Sequence, residues 1–444
     1  MGGVFSTTPR PSNFPVSAMS EQSKRNKQIL GIAVIIFAVA MVGAVYIANT
    51  YFNNGTESPS RQESGNAHLE ALPVSSPAPT QMSKKSDSKG VFHVRPGMSI
   101  QDALDSAAAH PEHKIVKVHQ GTYRPKQHGQ AMIWLNSRHE GITLVAEGEV
   151  ILTAENPEIA DASLASFPAV VNHVVYFGDG ISRATTIRGF KITGAKNYVT
   201  RSDNPAIQPP VDLPRLKEKS FVYYGDGGGI KTWGRSYPTI DRCEIYGNYT
   251  SPCAGAISVD NCGYTDSAVL IINCILRNNS SQLTGSAIDL FGPGNRAEIR
   301  NCLFVGNVAN RGLNFFAFPK VGFNEAHGSG ALTVFNGSHV VVDRCTFTGN
   351  YNGVDDASTG NTYTDCLFWN NNAVGGIAPR GRYEIDIRDG RKVANCYLGG
   401  DTIHDLRESV ANDNVLNAPD PKFDAEYRPT NRIYADVGYR PVAK

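Results

Sequence analysis

One short phrase recurs along the C-terminal half of this 444-residue chain. Each copy carries a cysteine followed five residues later by an asparagine, as in DRCEIYGN at residues 241–248 and DRCTFTGN at residues 343–350. The copies are about 21 to 43 residues apart, and such a period is typical of one turn of a solenoid. The repeat therefore replaces the two or three globular domains that the length alone would allow. The cysteines of the series are Cys243, Cys274, Cys302, Cys345, Cys366 and Cys396, and the residues five places on are Asn248, Asn279, Asn307, Asn350, Asn371 and Asp401.

Apolar residues alternate inside the phrase and again about 13 residues upstream of it, as in SAIDLF at residues 286–291 and GALTVF at residues 330–335. Alternation with a period of two, bounded by Gly and Asn, predicts short strands. Two or three strands per unit, with no helical crossover, predict an all-β fold, a parallel β-helix whose coils stack about 4.8 Å apart. We expect it to be right-handed, because parallel β crossovers almost always are.

From residue 91 to the C-terminus, the chain resembles the pectin-lyase-like family of right-handed parallel β-helices, which includes pectate lyases and polygalacturonases. Its opening, VRPGMSIQDALDSAAAHPEHKIVKVHQGTYRP at residues 94–125, is similar to the family's strand, helix and strand ending in Gly-Thr-Tyr. Ser99 and Asp102 are spaced as a capping box, so the helix should begin there and cover the open end of the core. Residues 420–438 look like the family's closing segment. The resemblance implies the fold, and it implies a polysaccharide lyase or hydrolase as one function.

The repeated cysteines and asparagines are predicted to stack from coil to coil. Stacked cysteines have parallel Cβ vectors nearly 5 Å apart, beyond the roughly 3.5–4.5 Å of a disulfide, so they should be reduced packing residues. A metal is disfavoured for this row because no CxxC or Cys/His cluster accompanies it. Cys253 and Cys262 lie outside the row and remain candidates for a disulfide. The asparagines should bond equivalent turns above and below.

Aligning the upstream strands on their inward residues, from Ile230 to Ile385, predicts two outward rows. The second row contains three aromatic residues beside carboxylates. Because sugar faces stack on aromatic rings while carboxylates bind sugar hydroxyl groups, this row is a candidate carbohydrate-binding face. Alternatively, two insertions at residues 201–224 and 311–328 cover the aromatic side chains. The first row is Lys231, Ser258, Asp289, Thr333, Asp355 and Asp386, and the second is Trp233, Asp260, Phe291, Phe335, Ala357 and Arg388.

The candidate catalytic residues are Asp289, Asp355, Asp386 and Lys231. Asp355 and Asp386, on neighbouring coils, would be about 5 Å apart, near the separation of a retaining glycosidase pair. Asp289 and Asp355, two coils apart, would approach the inverting range, while Lys231 would serve as the base of a lyase. The alternative is that charged rows on a solenoid are solvated and only maintain solubility. No cofactor is required, although stacked carboxylates also suit calcium.

No specific enzyme branch of the family is matched. Asp355-Asp356 resembles the adjacent aspartates of the polygalacturonases, and Ala326-His327-Gly328 resembles their Gly-His-Gly. That branch places its aspartates before its histidine, whereas the order is reversed in this chain. Its Asn-Thr-Asp and Arg-x-Lys motifs are also missing from the expected register.

An uncharged run of about 20 residues at 29–48 is long enough to cross a bilayer core of roughly 30 Å. Four basic residues precede it and only Glu57 follows in the next dozen positions, which predicts a cytoplasmic tail at 1–28. A cleaved signal peptide is the alternative. Residues 49–90, rich in Ser and Pro, are predicted to be a disordered linker, and residues 91–444 an extracytoplasmic β-helix domain.

The net charge of +1 argues against a nucleic-acid partner, which would require clustered Lys and Arg. We therefore expect a membrane-anchored β-helix that binds a polysaccharide or a cell-envelope glycan along its long face. Two alternatives remain open: a polysaccharide lyase or hydrolase, and a structural or adhesive spacer.

Overall fold

The computed structural model describes part of the chain, and every structural statement below concerns that part. The predicted transmembrane segment 29–48 lies outside it, as does nearly all of the linker. Within the described ranges, no helix is long and apolar enough to cross a membrane. These ranges are 86–125, 129–155, 170–195, 226–250, 253–281, 284–309, 330–371, 383–388, 392–399, 403–404 and 413–442.

The β-helix opens with a strand, a helix and a second strand, as predicted. These elements are Val91–Val94, Ile100–Ala108 and Ile115–Tyr123. The Ser99 hydroxyl accepts a hydrogen bond from the Asp102 backbone N at 3.1 Å and so caps the helix. The helix buries Ile100, Leu104 and Ala107 in the same core as the strands, which removes apolar surface from water at this end of the solenoid.

An 18-stranded sheet of parallel strands forms two rows along the solenoid, and both rows pair with the strand Thr143–Thr153. Besides that strand, the first row contains Val91–Val94, Ile115–Tyr123, Thr186–Arg188, Thr239–Asp241, Val269–Ile272, Arg296–Arg300, His339–Asp343, Thr362–Thr364 and Val393–Ala394. The second contains Lys191–Thr193, Glu244–Tyr246, Ile275–Arg277, Leu303–Val305, Thr346–Thr348, Leu367–Trp369, Tyr397–Leu398 and Val415–Leu416.

A 9-stranded parallel sheet forms the remaining long wall of the solenoid, and a small 2-stranded sheet lies at the turn before it. Two short 3-10 helices, Ser137–His139 and Arg432–Tyr434, lie outside the sheets. The nine strands are Gly129–Leu135, Val171–Phe177, Ile230–Trp233, Ile257–Asp260, Ile288–Leu290, Leu332–Val334, Val354–Asp356, Ile385–Ile387 and Ile403–His404, and the two are Tyr249–Thr250 and Ser280–Ser281.

The repeated cysteines follow the tight turn between the two rows of the 18-stranded sheet. The residue before each cysteine is left-handed, as Asn273 is with φ 58°, and Gly189 takes this place in an earlier copy. All six thiols of the row are buried and free, and each donates to a backbone carbonyl, for example Cys274 to Ile272 at 3.2 Å. The predicted packing role of this row is confirmed.

The repeated asparagines form a buried hydrogen-bonded ladder in the turn after the second row. Asn279 Nδ2 donates to Asn307 Oδ1 at 3.1 Å and to the Ile245 carbonyl at 2.8 Å. The ladder ends where Asn371 Nδ2 donates to the carboxylate of Glu384 at 2.5 Å. These amides therefore satisfy backbone groups that the turns would otherwise leave buried without partners.

Residues 413–442 return along the side of the solenoid. The Tyr439 N donates to Thr346 Oγ1 at 2.9 Å, and the Arg440 N donates to Asn301 Oδ1 at 2.7 Å. Tyr434 and Val437 join Leu367 in a small apolar cluster outside the main core. The predicted closing segment therefore packs against earlier coils at the cysteine turn.

Candidate functional site

The first predicted outward row is a continuous register of the 9-stranded sheet. Ser258 pairs with Lys231 on one side and with Asp289 on the other, and Asp289 pairs with Thr333. Asp355 then pairs with Thr333 and with Asp386. The alignment on inward apolar residues therefore placed each member of this row correctly. Sequence reasoning missed its N-terminal continuation, in which Tyr176 pairs with Lys231 and with Trp134.

The alternative reading of this charged row, that it is solvated, does not hold for its central members. Lys231 and Asp289 are 0% exposed and Asp355 is 1% exposed, whereas Asp386 is half-buried. Lys231 Nζ donates to the Ser258 hydroxyl at 3.1 Å and lies 4.9 Å from the centre of the Trp233 ring. Burying charge costs free energy unless it is compensated, and such groups concentrate at functional sites. The middle of this face is therefore the candidate site.

The second outward row divides into a buried part and an accessible part. Trp233 and Asp260 are buried, at 8% and 9% exposure. Phe291 and Phe335 are half-buried and meet edge to face with ring centres 4.9 Å apart, and Arg388 is exposed. Both insertions that were considered as covers, 201–224 and 311–328, lie outside the described residues. The accessible part of the predicted carbohydrate face thus contains Phe291, Phe335 and Arg388, and the half-buried Asp386 of the first row lies two residues before Arg388.

The adjacent pair Asp355-Asp356 separates onto opposite faces of its strand. Asp355 Oδ2 accepts a hydrogen bond from the Tyr383 hydroxyl at 2.7 Å on the outward face. Asp356 accepts from Asn361 Nδ2 at 2.8 Å and from the Tyr363 hydroxyl at 2.9 Å, and burial raises the pKa of its carboxyl. Asp356 is thus a buried structural acceptor, and the two aspartates do not form one acid pair.

A three-residue cluster lies at the start of the buried part of the site. One ligand atom each from Asp226, Cys253 and Asp289 lies within 4.8 Å of the others, and all three residues are buried. Asp226 Oδ1 accepts a hydrogen bond from the Cys253 N at 3.1 Å. Asp226 was not singled out from the sequence. The signal was available, because Asp226, Cys253 and Thr284 each stand four residues before an inward isoleucine, at Ile230, Ile257 and Ile288.

The candidate disulfide between Cys253 and Cys262 is not formed. Both cysteines are free, Cys253 is buried and Cys262 is exposed. Cys253 occupies the position equivalent to that of Asp226 in the preceding coil, and its sulfur therefore lies close to the carboxylates of Asp226 and Asp289.

Burial dominates the electrostatics of this cluster. It raises the pKa of Asp226 to about 7, with Lys231 opposing the shift and Asp260 reinforcing it. Burial, reinforced by Asp226, also raises the pKa of Asp289 well above its usual range. The Ser258 hydroxyl opposes this shift, but neither carboxylate oxygen of Asp289 has a hydrogen-bond partner of ordinary geometry. Within the described residues, this carboxylate therefore relies on a proton or on the nearby Lys231 charge for compensation.

Residues 185–323 match the family described as "Right handed beta helix region". The sheets continue on both sides of the matched residues with the same parallel pairing. No curated protein matches the chain. The sheets and the family match together give the chain the right-handed parallel β-helix, which is the pectin-lyase-like fold.

Proposed function

We propose that this chain, which has the right-handed parallel β-helix of the pectin-lyase-like proteins, binds a polysaccharide or a cell-envelope glycan on the outward face of its 9-stranded sheet. The observation that carries the proposal is the half-buried, edge-to-face pair of Phe291 and Phe335. Aromatic faces left partly in water beside polar groups are typical of sugar-binding surfaces.

Charged groups at the same end of the face support the choice of ligand. Asp386 is half-buried and pairs in register with Asp355, while Arg388, the residue after the strand Ile385–Ile387, is exposed. A carboxylate accepts hydrogen bonds from sugar hydroxyls, and a guanidinium donates to carboxylated or neutral sugars. This face therefore presents aromatic rings for stacking, a carboxylate that accepts hydrogen bonds and a guanidinium that donates them, all within a few coils.

The proposal includes an anchor at residues 29–48 and an extracytoplasmic β-helix, supported by the uncharged run and by the basic residues before it. Protease treatment of intact cells that express the full chain tests this orientation. Release of the β-helix without lysis is expected, and protection until lysis would contradict it.

Glycan binding is tested with the full chain in detergent on an array of neutral and uronate-containing polysaccharides. Phe291→Ala and Phe335→Ala should each weaken retention about tenfold, because each removes a stacking surface. Tyr246→Ala is the matched control, since Tyr246 is also half-buried but lies in the 18-stranded sheet against Arg277. An array without hits, or equal losses in all three variants, would contradict the proposal.

A second candidate function, polysaccharide lyase or hydrolase, is favoured by one observation. Lys231 and Asp289 lie two coils apart, one on each side of Ser258, and both are fully buried, with the Lys231 charge acting on the Asp289 carboxyl. A carboxyl kept protonated and a nearby amine are the parts of an acid–base pair. Turnover of a polysaccharide that falls at least a hundredfold in Asp289→Asn and in Lys231→Met, but not in Tyr246→Ala, would establish this activity. Absence of turnover in the wild type would exclude it for the polysaccharides tested.

A further inference from the structure

We propose that Asp226, Cys253 and Asp289 form a binding site for a thiophilic divalent cation of the zinc class. This site goes beyond the glycan function proposed above and does not depend on it. Its residues come from three successive coils of the solenoid, so a bound cation would also join those coils.

The three side chains lie close to the arrangement that a small divalent cation requires. Their ligand atoms are within 4.8 Å of one another. Zinc binds carboxylate oxygen at about 2.0–2.2 Å and thiolate sulfur at about 2.3 Å, which in a tetrahedral site separates the ligand atoms by roughly 3.3–3.7 Å. Rotations that bring these atoms about 1 Å closer are therefore sufficient to close the site.

Two buried polar groups at this place lack the partners that burial demands. Both oxygens of Asp289 are buried without a hydrogen bond of ordinary geometry, and Asp289 is 0% exposed. The Thr284 hydroxyl is also buried without a hydrogen bond of ordinary geometry, and it lies beside the Cys253 thiol. Buried oxygens in native proteins almost always have a partner, so unsatisfied ones point to a missing ligand.

The Cys253 thiol differs from the structural thiols of the same protein. Each of the six cysteines in the repeated row donates to a carbonyl, as Cys302 does to Arg300 at 3.2 Å. The Cys253 sulfur instead interacts with the Thr284 hydroxyl and the Thr284 backbone N–H, and the Cys253 backbone N donates to Asp226. Hydrogen-bond donors beside the sulfur suit a thiolate ligand, whereas the thiols of the repeated row act as donors to backbone carbonyls.

The charges of the three ligands also balance with Lys231 and a divalent cation. Two carboxylates and one thiolate carry three negative charges, and Lys231 supplies one positive charge that acts on Asp226 and on Asp289. A divalent cation supplies the other two. Asp260, at the edge of the cluster, accepts a hydrogen bond from the Cys262 N at 3.0 Å and remains as an outer carboxylate.

The ligand types select the cation. Calcium takes six to eight oxygen ligands, whereas this cluster offers one sulfur and few oxygens. A thiolate with two carboxylates suits zinc or cobalt better than calcium or magnesium. Three protein ligands leave a fourth position, where the Thr284 hydroxyl or a water molecule would bind.

The test uses the full chain in detergent, reduced and freed of metal, with Co²⁺ as the optical probe for the zinc class. We expect one equivalent of Co²⁺ to produce a thiolate-to-cobalt charge-transfer absorption, and Zn²⁺ to displace it. Cys253→Ser should abolish this absorption, and Asp289→Asn should weaken Co²⁺ binding at least tenfold. The matched controls are Cys262→Ser and Asp386→Asn, which alter a free cysteine and an outward carboxylate outside the cluster and should bind like the wild type.

Three outcomes would overturn the proposal: no thiolate band in the wild type, a band that survives Cys253→Ser, or Ca²⁺ competing with Co²⁺ as effectively as Zn²⁺ does. Circular dichroism distinguishes loss of the site from loss of the fold. If Cys253→Ser unfolds, Asp289→Asn and Asp226→Asn decide the result, because Asn keeps the size of Asp while removing its charge. Glycan binding is not part of this measurement, so its failure would leave the cation result intact.

Discussion

Asn307 donates two hydrogen bonds to a single oxygen of Asn350, from its backbone N and from Nδ2, each at 2.9 Å. In the other direction, Asn307 Oδ1 accepts from the N of Asn279 at 3.0 Å and from its Nδ2 at 3.1 Å. The amide of Asn307 therefore joins three coils at a fully buried position. The contribution of Asn307 to the free energy of unfolding therefore depends on how many buried hydrogen-bonding groups it pairs with.

Asn307→Ala should lower the free energy of unfolding by about 3 kcal/mol, because it leaves buried backbone and amide groups without partners. Asn336→Ala is the control: Asn336 is exposed and lies outside the ladder, so its loss should change stability by less than about 0.5 kcal/mol. Urea unfolding followed by circular dichroism measures both variants. Equal, small effects would mean that the ladder does not stabilise the fold.

The thiols should react unequally in the folded protein. Cys262 is exposed, while the other seven cysteines are buried. A maleimide reagent should therefore label one cysteine in the native chain and all eight after unfolding. Labelling should be slow near pH 7, because the residue is exposed as a whole but desolvation of its sulfur, together with the neighbouring Asp260, raises the pKa of Cys262 to about 12 and keeps little thiolate present.

Cys262→Ser provides the control for this labelling experiment. Mass spectrometry should find no native-state adduct in that variant. Adducts on Cys274 or Cys345 in the folded wild type would contradict the buried, packed row.

Glu384 should make the fold less stable as the pH rises. Burial raises the pKa of Glu384 from its ordinary 4.5 to about 7, with the Asn371 hydrogen bonds opposing the shift. The folded state thus holds this proton more tightly than the unfolded state does. The resulting stabilisation is fully present below pH 4.5 and is lost as the pH rises through 7.

Glu384→Gln should reduce this loss by at most about 3 kcal/mol between roughly pH 4 and pH 8, because Gln stays neutral. Asp226, with a pKa of about 7, contributes in the same direction, so some pH dependence should remain in the variant. Glu426→Gln, at an exposed position, should leave the pH profile unchanged. Identical profiles for the wild type and Glu384→Gln would refute the assignment.

The register of the site could be predicted from the sequence, whereas its burial could not. Each coil begins a strand with an inward apolar residue, so aligning Ile230, Ile257 and Ile288 fixes which residues follow on the outward face. The exposure of an outward side chain depends on which other parts of the chain pack against that face. The alternating pattern of the strands gives no information about that packing. The position of Lys231 in the row was therefore predicted correctly, whereas its burial could not be predicted.

The cluster at Asp226 escaped sequence reasoning for a different reason. Asp226 and Cys253 precede the strands and lie in turns, where no alternation of apolar residues marks them. Asp226, Cys253 and Thr284 occupy equivalent positions in three successive coils. Because these residues differ chemically, the sequence shows no repeat at this position, although the stacking of the coils brings the side chains together. Besides the constant spacing to the inward isoleucines, the positive φ of the next residue, at Gly227, Ala254 and Gly285, identifies the column as a shared turn.

Gly285 should be essential to this turn, because a side chain there meets the site directly. A Cβ at Gly285 would lie 2.5 Å from the Asp289 Cβ, in addition to the strain of its φ of +57°. Gly349 separates the two effects: its φ is +62°, but nothing lies within 4 Å of a Cβ at that position. Gly349→Ala should therefore cost about 1–2 kcal/mol from backbone strain alone.

Gly285→Ala should cost about 1–3 kcal/mol more than Gly349→Ala, because overpacking against the strand adds to the same strain. Urea unfolding of both variants measures the difference. Equal losses of unfolding free energy in the two variants would show that Asp289 and its strand move to accommodate the new methyl group at no cost. That result would contradict tight packing of the cluster. A larger cost at Gly285, together with loss of Co²⁺ binding in that variant alone, would link the turn to the site that it positions.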